Sequence, residues 1–150
     1  MPTLRGVAAR IARRLLDRRI TVVGESMAPS LCHGDQVVVS GFDRQIPALS
    51  RGEIVVLKAP GTDREDVKRI VGLPGELVEI RDGVLMIDSR PTDEPYINAA
   101  MPPDWHYAWN ARPTEYVVLG DNRAASTDSR RYGPVPVDRI TGRVRRRAER

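Results

Sequence analysis

Leu77-Val78-Glu79-Ile80-Arg81-Asp82-Gly83-Val84-Leu85-Met86-Ile87 is two short apolar runs joined at Asp-Gly. Asp-Gly suits the positive-φ positions of a two-residue turn. The stretch therefore predicts a tight antiparallel hairpin with Asp82-Gly83 at its tip. Similar β-branched runs recur on both sides. Ile20–Val23, Gln36–Ser40, Ile54–Lys58 and Val67–Val71 precede it, and Tyr116–Leu119 and Ile140–Val144 follow. Turn signals separate them, such as His33-Gly34-Asp35, Pro60-Gly61 and Pro74-Gly75. Many short strands at close spacing with little helix predict a mostly β fold, an antiparallel barrel or sandwich.

The chain has 150 residues, the size of one domain with a real core. Its ends differ from its middle. Residues 5–19 hold six Arg against one Asp, and residues 143–150 hold five Arg against one Glu. Basic ends suit an anionic membrane surface or a nucleic acid, and they also fit plain solvated tails. Leu4, Val7, Ala8, Ile11 and Leu15 fall on one helix face, with Arg10, Arg13, Arg14 and Arg18 largely elsewhere. Residues 4–19 are thus expected to form a basic amphipathic helix. It either lies in a membrane interface or packs its apolar stripe on the domain. No run of 18 apolar residues occurs, so no spanning helix is expected. The organisation expected is a basic N-terminal segment (1–19), one main domain (20–144) and a frayed basic tail (145–150). Within the domain, residues 89–114 carry five prolines with Trp105, Tyr107 and Trp109, and are expected to be an irregular insertion. Those aromatics suit a local mini-core or a partner contact. The single cysteine, Cys32, rules out an internal disulfide and a cysteine-rich metal site.

The chain holds 22 arginines but two lysines, Lys58 and Lys68. Arg stays protonated in a protein site, whereas a desolvated Lys can lose its proton and act as a base. Lys68 follows Ser26 by 42 residues, and Ser26 sits in Gly24-Glu25-Ser26-Met27-Ala28-Pro29-Ser30-Leu31. Gly24 permits the backbone angles of a turn that presents Ser26. Met27 and Leu31 are apolar and suit the lining of a shallow substrate cleft. The Ser26 N–H suits a developing oxyanion. Within Val67–Val71, strand alternation turns Lys68 away from Val67 and into an interior or cleft. A third stretch, Gly120-Asp121-Asn122-Arg123-Ala124-Ala125-Ser126-Thr127-Asp128-Ser129-Arg130, is dense in hydrogen-bonding side chains. Asp128 and Arg130 are placed to pair there, and Ser126 to meet a catalytic group. Asp63, Asp121, Asn122 and Asp128 do not have calcium-loop spacing, so neither metal nor cofactor is expected. The two histidines, His33 and His106, offer a Ser–His–Asp triad only by coincidence of folding.

Taken in order, these stretches resemble bacterial type I signal peptidase, a Ser–Lys peptidase family. Ser26-Met27-x-Pro29-x-Leu31 is similar to its nucleophile box, and Lys68-Arg69-Ile70-Val71-Gly72-x-Pro74-Gly75 to its general-base box. Gly120-Asp121-Asn122-Arg123-x-x-Ser126-x-Asp128-Ser129-Arg130-x-x-Gly133 is similar to its third box, and Arg51–Val56 to the strand between the first two. The resemblance implies a barrel-like antiparallel β domain in which Ser26 attacks and a neutral Lys68 takes its proton. It also implies that Ser126 holds Lys68 while Asp128 and Arg130 support the site. The substrates implied are preprotein signal peptides with small residues in an Ala-x-Ala pattern. The location implied is the extracytoplasmic side of the cell membrane. Some family members carry a hydroxyl two residues before the nucleophile; here that position is Gly24.

Two alternatives stand beside this reading. Ala124–Arg130 and Gly133-Pro134-Val135-Pro136 also look similar to the soluble proteases that trim nickel superoxide dismutase in the cytoplasm. Those are shorter and lack a segment like 89–114, and Asp93-Glu94-Pro95-Tyr96-Ile97 within it looks like full-length signal peptidase. The other alternative is a non-enzymatic binding module using the Arg-rich ends. The aromatics lie away from both Arg clusters, which argues against nucleic acid.

Overall fold

Asp82 and Gly83 have φ of 52° and 74°, the two positive values that a two-residue hairpin turn requires. Around them β5 (Leu77–Arg81) and β6 (Val84–Ile87) pair with Arg81 opposite Val84. In this computed structural model residues 17–42 and 46–147 are described. The other strands are β1 (Asp17–Thr21), β2 (Gln36–Gly41), β3 (Ile54–Lys58), β4 (Glu65–Gly72), β7 (Arg90–Pro91), β8 (Tyr107–Asn110), β9 (Glu115–Leu119), β10 (Val135–Pro136) and β11 (Ile140–Arg147). One helical turn, α1 (Ser129–Tyr132), lies between β9 and β10.

The strands form two sheets, ordered β1-β2-β11-β3-β4-β9-β10 and β7-β6-β5-β8. All pairings are antiparallel. Alternation explains the layering. Val37 and Val39 of β2 are fully buried while Val38 between them is half-buried. The middle of the larger sheet is covered on both faces, so residues 54–57 of β3 and 116–119 of β9 are continuous apolar runs. Val55 and Leu57 join a core with Ile70, Tyr116, Val118 and Ile140. Val56, on the opposite face, packs with Val22, Met27, Leu31, Val37 and Val39. A third core joins the two sheets, with Val71, Val117 and Leu119 against Val78, Ile80, Leu85 and Ile87. Burial of each such side chain contributes about 1.5–3 kcal/mol, so these cores outweigh the exposed ion pairs. At the junction Gly72 leaves no space: a Cβ there would overlap Val78 and lie 2.9 Å from Val117 Cβ.

The larger sheet curls without closing. β9 takes up pairing with β4 only from Arg69, which lies opposite Leu119. Among the described residues, 65–68 of β4 thus have β3 on one side and no paired strand on the other. Facing that open edge is β1. Arg18 of β1 spans the gap with a bidentate ion pair to Glu65, at 3.0 and 2.7 Å. The result is a barrel-like sheet with a slot along one seam.

The structure moves three boundaries. β1 begins at Asp17, so residues 17–19 of the expected helix 4–19 are strand; the remainder of that segment lies outside the described residues. β11 continues to Arg147 after a bulge between Val144 and Arg146, so half of the expected tail is sheet. The insertion 89–114 is not wholly irregular. It supplies β7, which pairs with β6, and β8, which pairs with β5. Trp105, Tyr107 and Trp109 form a mini-core against the inter-sheet cluster. Tyr107 and Trp109 stack at 5.7 Å, and Trp105 meets Tyr107 edge-on at 6.5 Å. Spaced prolines obscured the short alternating run Tyr107–Asn110, whose partner strand is nearly thirty residues distant.

Candidate active site

Ser26 lies on the turn that follows β1. Gly24 adopts φ +83°, the left-handed value that lets the chain reverse there at no steric cost. The loop is tied by backbone bonds from Val22 N–H to Asp35 C=O and from Gly34 N–H to Val22 C=O, both 2.8 Å. Gly24 N–H donates to His33 Nδ1 at 3.1 Å. His33 therefore braces the turn, and His106 stands apart beside Asp82. The oxygen of Ser26 is met by a lysine instead.

Lys68 Nζ lies 3.2 Å from Ser26 Oγ and donates to Val67 C=O at 3.0 Å. The open edge of β4 makes both contacts possible, because β9 stops one residue short of Lys68. Lys68 is only 4% exposed. Burial pushes its ammonium below its ordinary value, Asp66 and Asp128 pull it partly back, and Arg64 adds to the lowering. A proton acceptor in contact with a serine hydroxyl is the arrangement that nucleophilic catalysis needs.

The third stretch closes the site from the other side. Asp128 is fully buried. It accepts from Gly120 N–H at 2.9 Å, Ser126 Oγ at 2.8 Å and Arg130 Nε and Nη2 at 2.9 and 2.8 Å. Burial alone would raise its carboxyl. The Arg130 bonds and charge, the Gly120 N–H and the Ser126 hydroxyl together hold it below the ordinary value. The Ser126 hydroxyl, read from the resemblance as holding Lys68 in position, donates to Asp128. α1 is anchored where Val118 N–H donates to Ser129 Oγ at 2.9 Å. Asp121 is buried in a bidentate pair with Arg69, at 2.8 and 2.6 Å.

Two cavities flank Ser26. One, of about 240 Å³, lies in the slot between Val22–Val23 and Asp66–Lys68, with Met27 and Val56 in its wall. The other, of about 490 Å³, is more open and is bordered by Gly24, Glu25, Arg64 and Thr127. Met27 is buried and lines the first cavity; Leu31 is buried in the same cluster and lines neither.

A family profile described as "Signal peptidase, peptidase S26" matches residues 3–148. This chain belongs to the signal peptidase family, peptidase S26. It is a serine-type endopeptidase of that family. The chain is 35% identical to signal peptidase IB of Staphylococcus aureus over 141 residues, covering 83% of this chain and 73% of the relative. It is 34% identical to signal peptidase I of Leptolyngbya laminosa over 132 residues, covering 82% and 64%. The crystal structure of a signal peptidase I from Enterococcus faecalis V583 superposes with a TM-score of 0.55 at 30% identity, over 66% of this chain and 98% of that one.

Sequence reasoning passed over several parts of this peptidase's site. Gly120 is one, since a Cβ there would overlap Ser126 Oγ and lie 2.5 Å from the Ser26 carbonyl oxygen. Its signal was a glycine at a strand end, opening the stretch dense in hydrogen-bonding side chains. Glu94, Tyr96 and Trp105 are others. They touch the arginines of the site from a segment whose prolines suggested an appendage.

Proposed function

We propose that this peptidase cleaves signal peptides from preproteins, with Ser26 as nucleophile and Lys68 as general base. The observation that carries the reading is the buried Lys68 amine 3.2 Å from Ser26 Oγ. Neutral Lys68 takes the hydroxyl proton as Oγ attacks the scissile carbonyl. The resulting oxyanion rests on the Ser26 N–H, in the turn shaped by Gly24. Protonated Lys68 then delivers its proton to the leaving amine, so the peptide bond breaks and an acyl-enzyme remains. Lys68 next deprotonates a water that releases the acyl chain and regenerates Ser26.

Asp128 and Arg130 support the dyad, with Ser126 bonded to Asp128 between them and the active centre. The substrate lies extended in the slot beside residues 65–68, along the edge of β4 that β9 leaves uncovered, as an added strand. The small cavity walled by Val22, Met27 and Val56 suits short apolar side chains before the scissile bond. The location proposed is the extracytoplasmic side of a membrane, with the basic residues ahead of β1 against anionic lipid. Among the described residues no helix is long and apolar enough to cross a bilayer.

The test is cleavage of a preprotein with an Ala-x-Ala site by wild type and by Ser26→Ala, with sequencing of the new N-terminus. Cleavage after the second Ala that disappears in the variant is expected. A folded wild type that leaves the preprotein intact would redirect the reading to a dedicated maturation protease.

A further inference from the structure

We propose that Glu94, Tyr96 and Trp105 form a positioning strap, which holds Ser126 and Asp128 in working register by gripping three arginines of the site. The inference rests on the Ser26/Lys68 reading and assigns a role to the 89–114 segment.

Each arginine makes two kinds of contact. Arg123 donates from Nε to Gly120 C=O at 3.0 Å and forms a bidentate pair with Glu94. The side chains of that pair are 4% and 6% exposed. Arg130 donates to Asp128, to Arg123 C=O at 2.8 Å and to Ser126 C=O at 3.4 Å, and its guanidinium lies 4.9 Å from the Trp105 ring centre. Arg69 donates to Asp121, to Gly52 C=O at 2.7 Å and to Ser30 Oγ at 3.2 Å, and lies 4.0 Å above the Tyr96 ring. Tyr96 closes the circuit by donating its hydroxyl to Glu94 at 2.9 Å. Each arginine thus bonds the Gly120–Arg130 stretch on one side and meets the strap on the other.

One ion pair and two cation–π contacts argue for positioning. Gly120 and Asn122 touch both halves of the site: Gly120 N–H donates to Asp128, and Asn122 N–H donates to Ser26 C=O at 3.0 Å. Arg123 fixes the Gly120 carbonyl between those two bonds. Without Glu94 the buried Arg123 loses the carboxylate it is paired with, which drives its guanidinium toward solvent. Gly120 C=O then loses its donor. Aromatic faces hold Arg69 and Arg130 by cation–π attraction, which acts within about 6 Å. A guanidinium held there donates to protein acceptors in place of water. The strap therefore acts on the dyad through other groups and touches no reacting atom.

The experiment measures kcat, KM, the acid limb of the pH–rate profile and Tm on one preprotein. The variants are Trp105→Leu, Trp105→Phe, Tyr96→Leu, Tyr96→Phe and Glu94→Gln, with wild type and Ser26→Ala alongside. Both leucine variants are expected to lose about tenfold in kcat with KM little changed. Trp105→Leu also moves the acid limb to higher pH. Arg130 then neutralises Asp128 less, and a more effective anion near Lys68 favours its charged form. Phenylalanine retains a ring face and recovers most of each loss. If Trp105→Leu does not fold, the Tyr96 pair and Glu94→Gln carry the test through kcat and KM. Wild-type kcat in the leucine variants overturns the strap, as does a loss that tracks Tm equally for Leu and Phe with an unmoved acid limb. Cleavage retained by Ser26→Ala refutes the underlying reading instead, so the two failures are separate.

Discussion

Replacing Gly120 with Ala tests how tightly the two halves of the site are locked. The added Cβ would overlap Ser126 Oγ and stand 2.5 Å from both Ser126 Cβ and the Ser26 carbonyl oxygen. Ordinary contact begins near 3.4 Å, so relief requires movement of 3.4 − 2.5 = 0.9 Å. Backbone supplies part of that wall, and it does not rotate aside as a flexible side chain would. Ser26 C=O is held by Asn122 N–H at 3.0 Å, and Ser126 by Asp128 at 2.8 Å. A displacement of that size along the line of the dyad would lengthen the 3.2 Å Lys68–Ser26 contact beyond hydrogen-bond range. Misplacement by about 1 Å costs on the order of 100-fold in rate. Overpacking of this kind costs about 1–3 kcal/mol in stability. At about 2–4 °C of Tm per kcal/mol for a chain of this size, the variant still folds. The assay is steady-state cleavage of an Ala-x-Ala preprotein beside a thermal melt. The expected result is a kcat loss far larger than the fall in folded fraction. A Gly120→Ala enzyme within threefold (about 0.6 kcal/mol) of wild-type kcat would refute the claim that Gly120 is the contact between the two halves.

Other outcomes follow from the same geometry. Lys68→Arg is expected to be as inactive as Lys68→Ala, since Arg gives up no proton; appreciable turnover by it would remove lysine as the base. For wild type, kcat/KM should rise with pH as Lys68 loses its proton, and the rise should lie below the ordinary lysine value because burial favours the neutral form. A flat profile from about pH 6 to 9 contradicts that. The lowered Lys68 value means that the unfolded chain binds more protons there, so the charged group costs stability at neutral pH. Lys68→Met should therefore melt no lower than wild type while being inactive, and a clearly lower Tm would show that the amine is net stabilising. Among the described residues the buried Tyr132 hydroxyl has no hydrogen-bond partner, and an unsatisfied group of this kind costs about 1–3 kcal/mol. Tyr132→Phe should raise Tm or leave it unchanged, and a fall would reveal a partner for that hydroxyl. Docking by the basic N-terminal residues predicts co-sedimentation with anionic vesicles that is lost when the chain starts at Asp17. Equal sedimentation of both forms would refute it. A start at residue 20 would confuse that test by cutting into β1.

Much of this protein was legible as local pattern. Turn chemistry placed the Asp82-Gly83 hairpin, because two positive-φ residues satisfy a purely local demand. Short β-branched runs located most of the strands for the same reason. Ser26 and Lys68 were legible by residue type, since a lysine kept among 22 arginines points to chemistry that arginine cannot perform. What only the tertiary structure decided is which groups meet across distance. It brought Asp121 to Arg69, Glu94 to Arg123, and Arg18 across the slot to Glu65. Periodicity carries no information on such meetings, which depend on how a twisted sheet curls and where β9 stops along β4. The same holds for Gly120, where the sequence shows a small residue and only the fold shows that the Ser26 and Ser126 segments leave no space for a larger one.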